Sequence, residues 1–185
     1  MKRLVALLTV LAVAGCSSGG AAAQQSNDTR YVAGDGRTVV FAAADRKPAP
    51  AIGESTLDGG RFDLAAQRGH VVVLNFWASW CAPCRAEAAD LEATHQSTKD
   101  SGVTFIGVDS RDQKDAATAF IAGRVTYPSL FDPAGRIALR FSDVPPNTFP
   151  ATLIVDKTGK VAAVIRRAVE QGALTELVTQ IGAEP

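Results

Sequence analysis

A chain of 185 residues, 46% apolar and 21% charged, is long enough to bury the core of one ordinary domain with a tail to spare, so its three cysteines are not needed as folding staples. Its 19 basic and 19 acidic side chains cancel, which removes any electrostatic ground for a nucleic-acid partner and leaves composition silent on function.

Lys2-Arg3 and the apolar run Leu4 to Ala14 read as the basic and hydrophobic regions of a secretory signal, because the run is shorter than the about 20 residues a membrane-crossing helix needs. The run ends in Val13-Ala14-Gly15-Cys16, which resembles the lipobox of bacterial lipoproteins. On that reading residues 1–15 are removed and Cys16 becomes a lipid-modified N-terminus. The protein is then held on the extracytoplasmic face of the cell membrane, where disulfides persist. The same residues also fit a plain signal peptide ending near Ala21-Ala22-Ala23, or an uncleaved anchor.

Residues 16–47 read as a membrane-proximal tether: Ser17 to Asn27 offers nothing to bury, and Thr38-Val39-Val40-Phe41 is a candidate short strand. Pro48-Ala49-Pro50 punctuates the entry to the main domain, residues 48–185. Ser55 to Leu64, with Asp58-Gly59 at its centre, predicts a hairpin. Val71 to Trp77 is nearly continuously apolar and β-branched, as a strand buried on both faces must be. A helix follows from about Cys81 to Thr98, with Pro83 tolerated in its first turn and Gly102 just past its end.

Val103 to Asp109 predicts a second buried strand, and Asp112 to Ala122 a second helix. This β-α-β-α order implies a parallel sheet core with right-handed crossovers. Tyr127 to Phe131 reads as a short strand and Ile137 to Phe141 as a short helix, followed by a loop over Ser142 to Thr148. Ala151 to Val155 and Lys160 to Arg166, joined by the tight turn Asp156-Lys157-Thr158-Gly159, predict an antiparallel pair. Leu174, Leu177, Val178 and Ile181 fall at helical spacing in the closing segment Glu170 to Ile181.

Chemistry is concentrated in Asn75-Phe-Trp-Ala-Ser-Trp-Cys81-Ala-Pro-Cys84-Arg-Ala-Glu87. With Cys16 lipidated, Cys81 and Cys84 remain as the thiols. Their spacing suits tetrahedral zinc, but His70 precedes the strand and His95 lies far along the helix, so a four-ligand set does not assemble easily and no metal is expected. A purely structural disulfide across two residues closes too small a loop to remove much unfolded-chain entropy. The redox reading is preferred. A cysteine at a helix start has its thiolate stabilised by free N–H groups and the helix dipole, which makes Cys81 the candidate nucleophile and Cys84 the resolving thiol of a Cys81–Cys84 disulfide. No cofactor is expected.

Trp80-Cys81-Ala82-Pro83-Cys84 after a strand, and Phe149-Pro150-Ala-Thr-Leu-Ile-Val-Asp156 before a hairpin, resemble the active-site motif and cis-proline strand of the thioredoxin superfamily. More narrowly, the chain from about Pro50 onward is similar to the TlpA/ResA-like, membrane-anchored thiol-disulfide oxidoreductases, including lipoprotein members of actinobacterial type, and Tyr31 to Gly36 also looks typical of those lipoproteins. The resemblance implies a thioredoxin fold, a central mixed sheet flanked by helices, with an N-terminal hairpin and a central insertion after the second core strand. It also implies that Pro150 is cis and faces the cysteines, that Phe149 and Trp80 form substrate-docking surface, and that Glu87 tunes the thiols and relays a proton. Asn75 stands where classical thioredoxins place a buried aspartate. One departure is that Ala88-Ala89 follow Glu87 where many relatives have a proline.

The implied activity is reduction of disulfides in extracytoplasmic proteins, apocytochrome c before haem attachment being favoured, with electrons from a transmembrane thiol donor. Ala82-Pro83 lacks the histidine of strongly oxidising Dsb-type sites, which leans the reading toward a reductant. A Dsb-like oxidant or isomerase, or a non-catalytic copper-delivery module, are the alternatives. The peroxiredoxin pattern, a threonine shortly before a lone cysteine, is missing.

Overall fold

A computed structural model describes residues 32–33, 35–141 and 148–185. The signal segment 1–15, Cys16, the Ser17 to Asn27 stretch and most of the loop after Phe141 lie outside them. Along the described chain the elements are β1 (Val32–Ala33), β2 (Thr38–Val40), β3 (Gly53–Ser55), β4 (Arg61–Asp63), β5 (Val71–Trp77), α1 (Ala82–Thr98), β6 (Val103–Ser110), α2 (Lys114–Ile121), β7 (Ser129–Asp132), α3 (Arg136–Leu139), β8 (Thr148–Phe149), β9 (Ala151–Val155), β10 (Val161–Ile165) and α4 (Gln171–Ala183).

All seven residues of β5 are buried, as its unbroken apolar run requires, and the strand lies inside a six-stranded mixed sheet of order β2-β10-β9-β5-β6-β7. β5 pairs parallel with β6, Val71 opposite Val103 and Trp77 opposite Asp109, and antiparallel with β9. The helical periodicity of α4 buries Leu174, Val178 and Ile181 against the sheet face carrying Val71, Val73 and Phe105, with Leu91 of α1 in the same cluster. On the other face Val72, Leu74, Phe76 and Val108 pack with Ile52, Phe62, Ile137 and Phe141. Each large side chain so buried contributes about 1.5–3 kcal/mol relative to exposure.

α2 and β7 form the central insertion, extending the sheet beyond β6. The expected hairpin is β3 and β4, a two-stranded unit tied to β7 by a donation from Leu57 N–H to Ser129 O at 2.8 Å. Two element starts differ from sequence expectation for local reasons. Pro128 has no N–H to give the ladder, so β7 begins at Ser129 rather than Tyr127. Asp112 and Gln113 stay outside α2, because Gln113 is extended (ψ 133°) and the Asp112 carboxylate is engaged elsewhere.

The strand expected within 16–47 pairs antiparallel with β10, so the sheet takes in residues from before position 48. Val161 N–H donates to Lys47 O and Phe41 N–H to Ala162 O. Arg46, 7% exposed, is bonded to Asp156 at 3.1 Å and to both Glu184 carboxylate oxygens, joining this segment to the β9–β10 turn and the end of α4. These contacts give the N-terminal approach a fixed exit beside the sheet edge.

Candidate active site

β5 delivers the chain into the turn 78–81, where Cys81 N–H donates to Ala78 O at 3.1 Å, and α1 begins directly after it. Cys81 is the N-cap of α1, with extended backbone (φ −80°, ψ 104°), and Pro83 sits in the first turn, where a missing N–H costs nothing. Cys81 and Cys84 form a disulfide, S–S 2.02 Å, Cα–Cα 5.3 Å. Cys84 N–H points at Cys81 Sγ at 3.3 Å, one of the helix-start N–H groups that lack an intrahelical acceptor. The same N–H and the positive end of a 17-residue helix would stabilise a Cys81 thiolate once the disulfide opens. Arg85, the cation of the first turn, is directed elsewhere, to Ser79 O at 3.3 Å and over the Phe120 ring at 5.3 Å.

Both cysteines are buried, Cys81 1% and Cys84 2% exposed, within the cluster that contains Phe149, with Trp80 packed against it. The Phe149–Pro150 peptide is cis. The Trp80 and Phe149 rings meet edge to face at 5.6 Å, and the Trp80 indole N–H donates to Arg111 O at 3.1 Å, so the indole is held at both ends. Trp80 and Pro83 are half-buried and Ala82 exposed, whereas both cysteines are buried.

Glu87 is 1% exposed, contrary to what a charged residue on a helix ordinarily does. Its Oε1 accepts from Asn75 Nδ2 at 2.8 Å and its Oε2 from Val169 N–H at 2.9 Å, while Asn75 Nδ2 also reaches Thr152 Oγ1 at 3.1 Å. Burial pushes the Glu87 carboxyl up to about 7, with Asp90 adding to the rise and the two accepted hydrogen bonds opposing it. Asn75 and Cys84 line the same small cavity between β5, α1 and α2. The structure thus brings Asn75 and Glu87 together. Thr152 and Val169 are partners that sequence reading missed; the register Asn75 opposite Thr152 reveals the first, and no local signal announces the second.

His95 lies against Phe105 and Tyr127, ring centroids 5.4 and 5.5 Å away, among apolar neighbours rather than beside the cysteines. No group of three or more His, Cys, Asp or Glu side chains suited to a metal occurs among the described residues.

A redox-active cysteine pair at a helix N-terminus beside a cis-proline loop, on a mixed sheet, defines a thioredoxin-fold thiol-disulfide oxidoreductase, and comparison with known proteins agrees. Over 136 residues the chain is 29% identical to thiol-disulfide oxidoreductase ResA of Bacillus thuringiensis, covering 73% of this chain and 77% of that one. It is 36% identical over 119 residues to a thiol:disulfide interchange protein DsbE homolog of Paracoccus denitrificans, covering 62% of each. Among solved structures, a secreted thiol-disulfide isomerase from Corynebacterium glutamicum superposes with a TM-score of 0.76 at 32% identity, over 83% of this chain and 97% of that one. The AhpC/TSA family model matches residues 46–164, and the chain belongs to that family, within the thioredoxin superfamily.

Proposed function

We propose that this enzyme is a lipid-anchored, extracytoplasmic reductant of protein disulfides. The apocytochrome c cysteines that must be free before haem attachment are its favoured substrate, and a transmembrane thiol protein is its electron donor. The observation that carries the chemistry is the Cys81–Cys84 pair at the N-cap of α1, with Cys84 N–H directed at Cys81 Sγ. In the reducing direction Cys81 thiolate attacks a substrate disulfide, forming a mixed disulfide and expelling one substrate thiolate, which takes a proton. Glu87 carboxylate receives the Cys84 thiol proton as Cys84 sulfur attacks Cys81 Sγ, which expels the second substrate sulfur as a thiolate, protonated in turn from solvent, and closes the Cys81–Cys84 bond. Two electrons have passed to the substrate, and two from the thiol donor restore the dithiol. Pro150 is where the substrate strand docks and Trp80 is its apolar floor; the Thr148–Phe149 edge is itself paired in parallel with Val32–Ala33 of β1.

The reductive direction is supported by the absence of histidine between the cysteines. It is tested by the equilibrium potential of the Cys81/Cys84 couple against a glutathione or dithiothreitol series. A value near the about −270 mV of thioredoxin is expected, and one near the about −120 mV of DsbA overturns the reading. The second outcome would favour an oxidant or isomerase, a reading to which similarity to the C. glutamicum isomerase lends weight.

The anchor rests on the lipobox-like Val13-Ala14-Gly15-Cys16. Among the described residues no helix is long and apolar enough to cross a membrane. Full-length protein expressed in a bacterial host is expected to enter the detergent phase on cloud-point partition, and Cys16→Ala to leave it for the aqueous phase. Wild type in the aqueous phase, or a variant that stays with detergent, removes the lipid anchor from the proposal.

A further inference from the structure

Among the described residues β1 pairs with β8 alone, in parallel, Val32 opposite Thr148 and Ala33 opposite Phe149. β8 runs straight into cis Pro150, and Phe149 shares a buried cluster with Cys81 and Cys84 and meets the Trp80 ring at 5.6 Å. A parallel ladder of two successive pairs takes its hydrogen bonds on the β8 side either from Thr148 and Pro150 or from Phe149. Pro150 has no N–H to give, so they run through the N–H and C=O of Phe149. In an extended strand these two groups of one residue point to the same side, so β1 holds both.

A substrate chain that docks at Pro150 by strand addition needs those same two groups, because the proline supplies no donor of its own. We propose that Val32–Ala33 is an intramolecular occupant of the substrate edge, and that the partner this edge receives is an extended, unfolded polypeptide segment that displaces β1. The proposal rests on the reading of Pro150 as the docking point.

β1 is held by far less than the segment that follows it. Gly36 N–H donates to Arg166 O at 3.3 Å, Arg166 N–H donates to Arg37 O at 2.9 Å, and the Asp35 carboxylate pairs with Arg37 at 3.5 Å and Arg166 at 3.8 Å. β2 then adds three residue pairs with β10, and Arg46 ties the segment to Asp156 and Glu184. Two residue pairs make a ladder too short to persist by itself, so β1 can peel from Phe149 while the chain from Asp35 onward stays on β10. Asp35 is only two positions beyond Ala33, which keeps the peeled strand at an effective concentration on the order of millimolar, and it closes again when substrate leaves. The consequence is selective: a chain able to form a ladder must compete with β1, whereas a small disulfide that forms none reaches the cysteines without that competition.

The test is Val32→Pro/Ala33→Pro in the full-length protein, since proline lacks the N–H and the conformational range a ladder needs. The pre-reduced protein is reacted with a linear peptide whose cysteine is disulfide-bonded to 2-mercaptoethanol and, separately, with hydroxyethyl disulfide, and loss of the Cys81 thiol is followed by alkylation. Both reagents offer the same leaving thiolate, so the ratio of the two rates cancels the reactivity of Cys81. The outcome is thereby independent of the couple's potential, on which the reductant reading is judged. The double variant is expected to raise the peptide rate about tenfold and to leave the hydroxyethyl disulfide rate within about twofold of wild type. A peptide to hydroxyethyl disulfide ratio that is unchanged or lower in the variant overturns the proposal, the lower value marking β1 as part of the docking platform instead. A measurement that leaves β1 unaltered uses Cys84→Ala, joined at Cys81 either to the peptide or to 2-mercaptoethanol. Amide hydrogen exchange over residues 32–33 is expected to be about tenfold faster or more in the peptide adduct, and equal exchange in the two adducts equally overturns the proposal.

Discussion

Cys81→Ser is expected to lower kcat/KM for protein-disulfide reduction by about a thousandfold or more while leaving the fold intact. Serine is a preferred N-cap, and its hydroxyl can accept the Cys84 N–H that now points at Cys81 Sγ, so the start of α1 keeps its cap. What is lost is an ionisable sulfur at the helix N-cap, where the Cys84 N–H is directed. Cys84→Ala is expected to behave differently, completing the first exchange and accumulating a mixed disulfide at Cys81, visible as a thiol-sensitive band on non-reducing gels. Trapping by Cys81→Ser instead of Cys84→Ala would reverse the assigned roles. Unchanged turnover in Cys81→Ser would remove the pair from the mechanism.

The second large effect is expected at Glu87. Glu87→Gln is sterically conservative, and a rotation of the Asn75 amide lets Asn75 Oδ1 accept from the new carboxamide while Val169 N–H keeps its acceptor. The variant should therefore fold, but it cannot take the Cys84 proton. Loss of a positioned base typically costs about 10²-fold or more, so single-turnover release of substrate from the Cys81 mixed disulfide should slow by about that factor at pH 8. In wild type this rate should rise through about pH 7, where Glu87 ionises, and in Glu87→Gln that rise should vanish.

Stability supplies an independent check with a definite sign. The folded-state carboxyl titrates at about 7, above its ordinary 4.5, so the stability contributed by its neutral form is complete below about 4.5 and is lost as pH rises through 7. Denaturant midpoints of Glu87→Gln relative to wild type should accordingly shift in the variant's favour between pH 4.5 and 8. A constant offset across that window would show that Glu87 does not titrate there, and would withdraw its proton-relay role.

Much of this molecule is written in local pattern. The unbroken apolar run of β5, the cysteines at the following helix start and the tight turn before β10 each state their conformation over a handful of residues. Boundaries slipped where side chains and missing N–H groups intervene: Pro128 delays β7, and Asp112, drawn to Ser79 N–H, delays α2. Glu87 illustrates the limit. Its position three residues after Cys84 says which side of α1 it occupies, but α1 mixes apolar and charged residues around much of its surface. Periodicity therefore does not say that Val169, 82 residues away, will cover it and donate to it.

Asp109 is the sharper case: Val103 to Asp109 reads as a buried strand, but nothing local says that this carboxyl, one residue before the strand's end, is fully enclosed. Only the pairing of β6 with β5 and β7 brings Trp77 and Phe131 beside it and removes its water. By itself, the sequence determined the fold class, the redox pair and which cysteine stands at the helix cap, because these depend on neighbours within a turn or a strand. Tertiary structure alone decided which acids are dry and which donors reach them. Those properties follow from desolvation and from hydrogen-bond partners brought in from distant parts of the chain, and no local pattern encodes either.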